Sequence, residues 1–194
     1  MFNRLSLAIL ITGMLALTSS CAGSLFKVQP VVGLPELPET AQTASAGGVT
    51  IKVAPLMTDE QSQDLFEANL PLGGVLPVRL RMDFESGVPV ELKRARFKMI
   101  DEGGREWKIV SAKSAVSRIL KANEVYAYNP NSRKQFEKEF GAYAIDLSHP
   151  LSNDNRRAEG FLFFEAPKNE PVSTAAGLTL RIERLAQPIE IKLN

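Results

Sequence analysis

The chain carries 23 Lys and Arg against 22 Asp and Glu over 194 residues, with one histidine and one cysteine. So even a balance argues against a dedicated nucleic-acid or polyanion binder, which normally shows a strong basic excess. A lone cysteine permits no internal disulfide, so stability must come from an apolar core, for which a body of about 150 residues suffices.

The first stretch in chain order decides where the rest sits. Arg4 is the only charge in residues 1–20, residues 5–17 form an apolar run, and the small Thr18, Ser19 and Ser20 lead into Cys21. A run of about a dozen residues falls short of the roughly 20 that a spanning helix needs. Charged start, short apolar core and small-residue exit describe a secretory signal peptide. With Cys21 directly after it, the stretch resembles the lipobox of bacterial lipoproteins; Thr18 stands where that family usually has Leu, and Leu17 lies one place earlier. The resemblance implies cleavage before Cys21, a diacylglyceryl group on its thiol and an acylated new amine. Ala22 in place of Asp implies, by analogy with the enteric sorting rule, an outer-membrane location facing the periplasm. No second run approaches spanning length, so acyl chains on Cys21 would be the sole membrane attachment.

Residues 22–48 read as a tether. Pro30, Pro35 and Pro38 interrupt regular structure, and T-A-S-A-G-G at 43–48 is small and flexible. As a coil it would reach about 30 Å, and proteolysis should cut there first. Alternation then begins. Val49, Ile51 and Val53 mark a strand ending near Pro55, and the polar stretch 58–69 has room for one helical turn. Val78, Leu80, Met82 and Phe84 alternate with Arg79, Arg81 and Asp83, the clearest strand of the chain. Past Ser86-Gly87 the phase changes: Val88, Val90 and Leu92 share one parity, Ala95, Phe97 and Met99 the other. A shift of one residue turns every side chain to the opposite face, which requires a bulge or break near Lys93-Arg94. Asp101-Glu102-Gly103-Gly104 make a hairpin turn into Trp107 and Ile109.

Residues 111–150 leave the strand pattern. Residues 112–122 suit a helix with Val116, Ile119 and Leu120 on one side, and Asn129-Pro130 open a second. Phe136, Phe140 and Tyr143 line one face of the second helix, with Lys134 and Lys138 on its wet side. This helical insertion, about 112–144, is expected against a sheet edge or the open end of a barrel. Residues 160–167 are apolar on both faces, as in a central strand covered on both sides; Leu178, Leu180, Ile182 and then Ile189, Ile191, Leu193 close the chain. About seven short strands predict a mainly β fold, an antiparallel sandwich over residues 49–194. The G-x-L-x-F-x-x-P pattern at 160–167, with Leu162 and Phe164 at its apolar places and L-T-L-R-I after it, resembles the late strands of immunoglobulin-like domains in bacterial lipoproteins. That resemblance implies an immunoglobulin-like β-sandwich.

Catalytic signals are sparse. His149 sits in D-L-S-H-P beside Ser148 and close to Asp146, whereas a nucleophile, base and orienting acid converge from separate rigid positions. One imidazole and one cysteine do not make a zinc site, a calcium loop at 146–154 lacks EF-hand spacing, and the glycine pairs at 73–74 and 103–104 read as turns. Neither a cofactor nor an enzymatic activity is expected; a carboxylate enzyme using Glu102 or Glu165 is the remote alternative. Two surfaces are candidates for binding. Arg79 and Arg81, with Arg94, Arg96 and Lys98 on the next strand, would share an outward basic face if those strands pair, suited to anionic lipid head groups. Trp107, Tyr126, Tyr128, Phe136, Phe140 and Tyr143 would offer an aromatic surface for an envelope protein or glycan, or else pack the insertion. The expected function is a lipid-anchored, non-enzymatic binding or assembly module, with carriage of a small hydrophobic ligand or lipid as the alternative.

Overall fold

The computed structural model describes residues 25–172 and 176–193; the signal peptide expected at 1–20 and Cys21 lie outside the described residues. Eight strands form one antiparallel series: β1 (Gln42–Ala46), β2 (Val49–Pro55), β3 (Val75–Phe84), β4 (Arg96–Ile100), β5 (Glu106–Ile109), β6 (Arg157–Glu165), β7 (Thr179–Glu183) and β8 (Ile189–Lys192). Their order is β1-β2-β3-β6-β5-β4-β7-β8, and the two end strands lie against each other, so the sheet nearly closes into a barrel. Where two packed sheets are expected from the sequence, the short β5 instead bridges β4 and β6 and joins everything in one hydrogen-bonded series.

The strand missing from the sequence reading is β1. Its pairing with β2 runs from Gln42–Val53 to Ala46–Val49, joined by Gly47 and Gly48 at φ 58° and 77°. Two consecutive positive φ values match the tight hairpin turn whose twist suits the flanking strands. A Cβ on Gly48 would lie 1.8 Å from the Ser86 carbonyl oxygen, so only glycine fits. Half of the expected tether is therefore sheet or packed chain. Leu25, Phe26, Val28 and Leu34 pack on the helical layer, the Phe26 and Phe136 rings are 5.0 Å apart, and Gln29 N–H donates to Leu65 C=O at 2.9 Å.

Three helices cover one side. In α1 (Asp59–Phe66), Thr58 and Gln61 form a reciprocal capping box and left-handed Glu67 ends the helix. Ser111 caps α2 (Ala112–Ala122) by accepting from Ser114 N–H, and Asn129 caps α3 (Pro130–Gly141), with Pro130 at its first position. Alternation on β3 and β6 now has a physical account. Leu76, Val78, Leu80, Met82, Phe84, Leu162 and Phe164 fill the barrel interior. Val75, Phe161 and Phe163 point outward into a second core with Phe66, Val116, Ile119, Phe136, Phe140 and Tyr143. That is why the 160–167 run is apolar on both faces. The phase change predicted near Lys93-Arg94 is met by a 3-10 turn, Leu92–Arg94, immediately before β4.

Candidate functional site

The basic stripe does not assemble. β3 lies between β2 and β6, and β4 between β5 and β7; two strands separate β3 from β4, so Arg79 and Arg81 are not set beside Arg94, Arg96 and Lys98. Arg79 is only 7 % exposed; its Nε donates to Glu159 Oε1 at 3.1 Å and its guanidinium also donates to Pro35 C=O. Arg81 and Arg157 both grip Asp83, at 2.9 and 2.6 Å. Burial would raise the Asp83 carboxyl, but hydrogen bonds from Arg157 and Arg81 outweigh it and hold the pKa below the ordinary value. A shelf of about 480 Å³ beside them is lined by Arg81, Asp83, Phe84, Glu85, Arg156 and Arg157. Its arginines are spent within the protein, since Arg156 donates to the Phe84 carbonyl at 3.1 Å. On β4, Lys98 pairs with Glu183 at 3.0 Å and Arg96 stands opposite the same Glu183, while Arg94 is exposed at the end of the 3-10 turn.

The aromatic group divides in the same way. Trp107 is buried in the barrel interior, where its indole N–H donates to Asp101 Oδ2 at 3.3 Å. Burial would raise the Asp101 carboxyl, yet Arg105 N–H, the indole and the Arg105 guanidinium together hold it below the usual range. Trp107 and Asp101 thus pin a hairpin and are not available to a partner. Phe136, Phe140 and Tyr143 are core, and the Tyr143 hydroxyl donates to the Gln29 carbonyl of the N-terminal segment. Tyr126 alone stands out, 75 % exposed in the loop between α2 and α3. Tyr128 is half-buried; its hydroxyl accepts from Arg133 at 2.7 Å, with that guanidinium 5.7 Å from the ring centroid.

Tyr126 separates two clefts. The larger, about 450 Å³, is lined by Leu72, Gly73, Ser117, Arg118, Lys121 and Ala122. The smaller, about 280 Å³, adds Leu120, Val125, Tyr128 and Arg133 to the shared Ser117 and Lys121. Neither has a carboxylate in its lining among the described residues. Arg118 is oriented by Glu165 and by the Gly73 carbonyl at 3.1 Å, and its second terminal nitrogen has no hydrogen-bond partner among the described residues. Arg133 is held by Glu137 and Ser117. Chemically the pair of clefts offers cations, hydrogen-bond donors and apolar surface, the complement of an amphipathic anion. Of these residues the sequence reading named Tyr126 and Tyr128. Ser117, Arg118 and Lys121 have as their only sequence signal the acid-free polar side of residues 112–122, and Leu72, beside Gly73-Gly74, has none.

His149 Nε2 lies 3.8 Å from Asp146 Oδ2, both well exposed. Among the described residues no group of three or more His, Cys, Asp or Glu is placed to hold a metal ion, and no helix is long and apolar enough to cross a membrane. Comparison of the chain with protein-family models, with curated proteins and with solved structures finds no match.

Proposed function

We propose that this chain is a lipid-anchored lipoprotein of the bacterial envelope, held by acyl chains on Cys21 at the outer membrane and working as a non-enzymatic binding module on the periplasmic side. The observation that carries the reading is the order of one basic residue, a short apolar run, small residues and the only cysteine at the start of the chain. Each buried CH₂ contributes about 0.8 kcal/mol, and two or more chains make attachment stable where one does not. The clefts beside Tyr126 are the surface this module would use on an envelope component. Kinship with the immunoglobulin-like domains of lipoproteins would rest on β6 to β8 alone. In a high-pH carbonate wash the wild-type chain should stay with the membrane pellet while Cys21→Ser is released. Equal retention of the two contradicts the anchor.

A carrier of a small hydrophobic ligand is the second reading. Leu72, Ala122 and the Tyr126 ring in the larger cleft favour it, because the barrel interior is already filled by side chains such as Met82, Met99, Trp107 and Phe164.

A further inference from the structure

The exposed charges of the helical layer are sorted by sign. On α2 and α3 they are Lys113, Lys121, Lys134 and Lys138, none of which makes an ion pair among the described residues. The two carboxylates of α3 are half-buried and engaged at home, Glu137 with Arg133 and Glu139 with Gln135. Glu124 in the intervening loop is the one exposed carboxylate beside them. On α1 the sorting is reversed: Asp59, Glu60, Asp64 and Glu67 are exposed, with no basic residue in the helix. Tyr126 and the half-exposed Leu72 project from the basic side.

The route of the chain supplies the second observation. Phe26 packs its ring 5.0 Å from Phe136 of α3, and Leu25 enters the same core. Cys21 is four residues before Leu25, a span of at most about 14 Å even when fully extended. An acyl anchor there puts the helical layer beside the bilayer. The reach is about half that of a free coil from 22 to 48 and under two of the roughly 8 Å screening lengths of physiological salt, so the lysines can swing into range of the head groups.

We propose that the basic face of α2 and α3 is a membrane-contact surface, with Lys113, Lys121, Lys134 and Lys138 meeting anionic phospholipid head groups and Tyr126 seated among them. This rests on the lipoprotein reading for its leash. Lysines beside an amphipathic aromatic ring are the chemistry of the membrane interface, where each basic residue strengthens binding to an anionic leaflet.

The test uses the purified full chain, in which acylation would leave no free thiol at Cys21. A fluorophore is placed at Lys121→Cys, Lys134→Cys or, on the opposite wall of the barrel, Lys192→Cys. The protein is mixed with vesicles of equal parts phosphatidylcholine and phosphatidylglycerol carrying spin-labelled head groups. All three positions are exposed, where substitution is well tolerated. Quenching should be strong at 121 and 134 and absent at 192. At 121 and 134 it should weaken at high salt, on pure phosphatidylcholine, and when the remaining lysines of the face become Gln, down to what the leash alone gives. Equal quenching at 121 and 192, or quenching indifferent to salt and lipid charge, overturns the proposal. Labelling of the wild-type chain at Cys21 would instead sink the anchor; the comparison of faces is then made in Cys21→Ser.

Discussion

Phe66→Ala should be among the most damaging single changes in the molecule, costing about 3–5 kcal/mol. Phe66 is wholly buried at the centre of the second core, its ring 5.0 Å from Tyr143, 5.1 Å from Phe140, 5.9 Å from Phe161 and 6.3 Å from Phe163. Those neighbours come from α3, from the segment after it and from β6, so no one element can move in to fill the void. The cost adds the lost transfer energy to that of a cavity between rigid parts. Calorimetry should show Tm lowered by roughly 6–20 °C, on the scale for domains of this size. A loss under about 1 kcal/mol would mean that helices and sheet are not packed around this ring.

Gly160→Ala should be comparably severe for a different reason. A Cβ at 160 would lie 2.6 Å from both the Cα and the N of Ile145. Backbone cannot swing aside as a flexible side chain can. The segment at Ile145 is also tied to β6, with Ile145 N–H donating to the Phe161 carbonyl at 3.0 Å and Phe161 N–H to that of Tyr143 at 2.7 Å. Making room for one methyl group therefore loosens both bonds and displaces Tyr143, whose hydroxyl holds Gln29. The expected destabilisation is about 3 kcal/mol, the upper part of the usual overpacking range. Urea unfolding reads it directly; a variant as stable as the parent would show that the chain after α3 does not cross β6 at Gly160.

These two positions also show what a sequence can and cannot disclose. Alternation along 78–84 and the doubly apolar 160–167 run are local patterns, and each correctly implied a strand with its covered faces. The helix start at Asn129-Pro130 and the phase change before Ala95 were local as well. Pairing is not local. Nothing in Arg79 or Arg96 states that β6 will lie beside β3 and β7 beside β4, so a five-residue basic face was plausible in one dimension and absent in three. β1 escaped because Q-T-A-S-A has no large apolar side chain to mark a period, although Gly47-Gly48 ahead of Val49 was a hairpin signal. The helical aromatics were ambiguous for the opposite reason: the spacing of Phe136, Phe140 and Tyr143 suits a core and a docking face equally, and only the sheet beneath them decides. The acid-free side of α2 was visible but unremarkable until Tyr126 and Leu72 were brought next to it.

The same geometry turns part of an expected tether into part of the folded body, and the proposed placement of α2 and α3 at a bilayer depends on that. Hydrogen exchange in the full chain, followed peptide by peptide, is the most direct examination. Peptides covering 25–34 and 42–46 should exchange slowly, in step with the strands and helices they pack against. Exchange across both stretches at the rate of an unstructured chain would restore the long leash and contradict the placement of α2 and α3 at the bilayer.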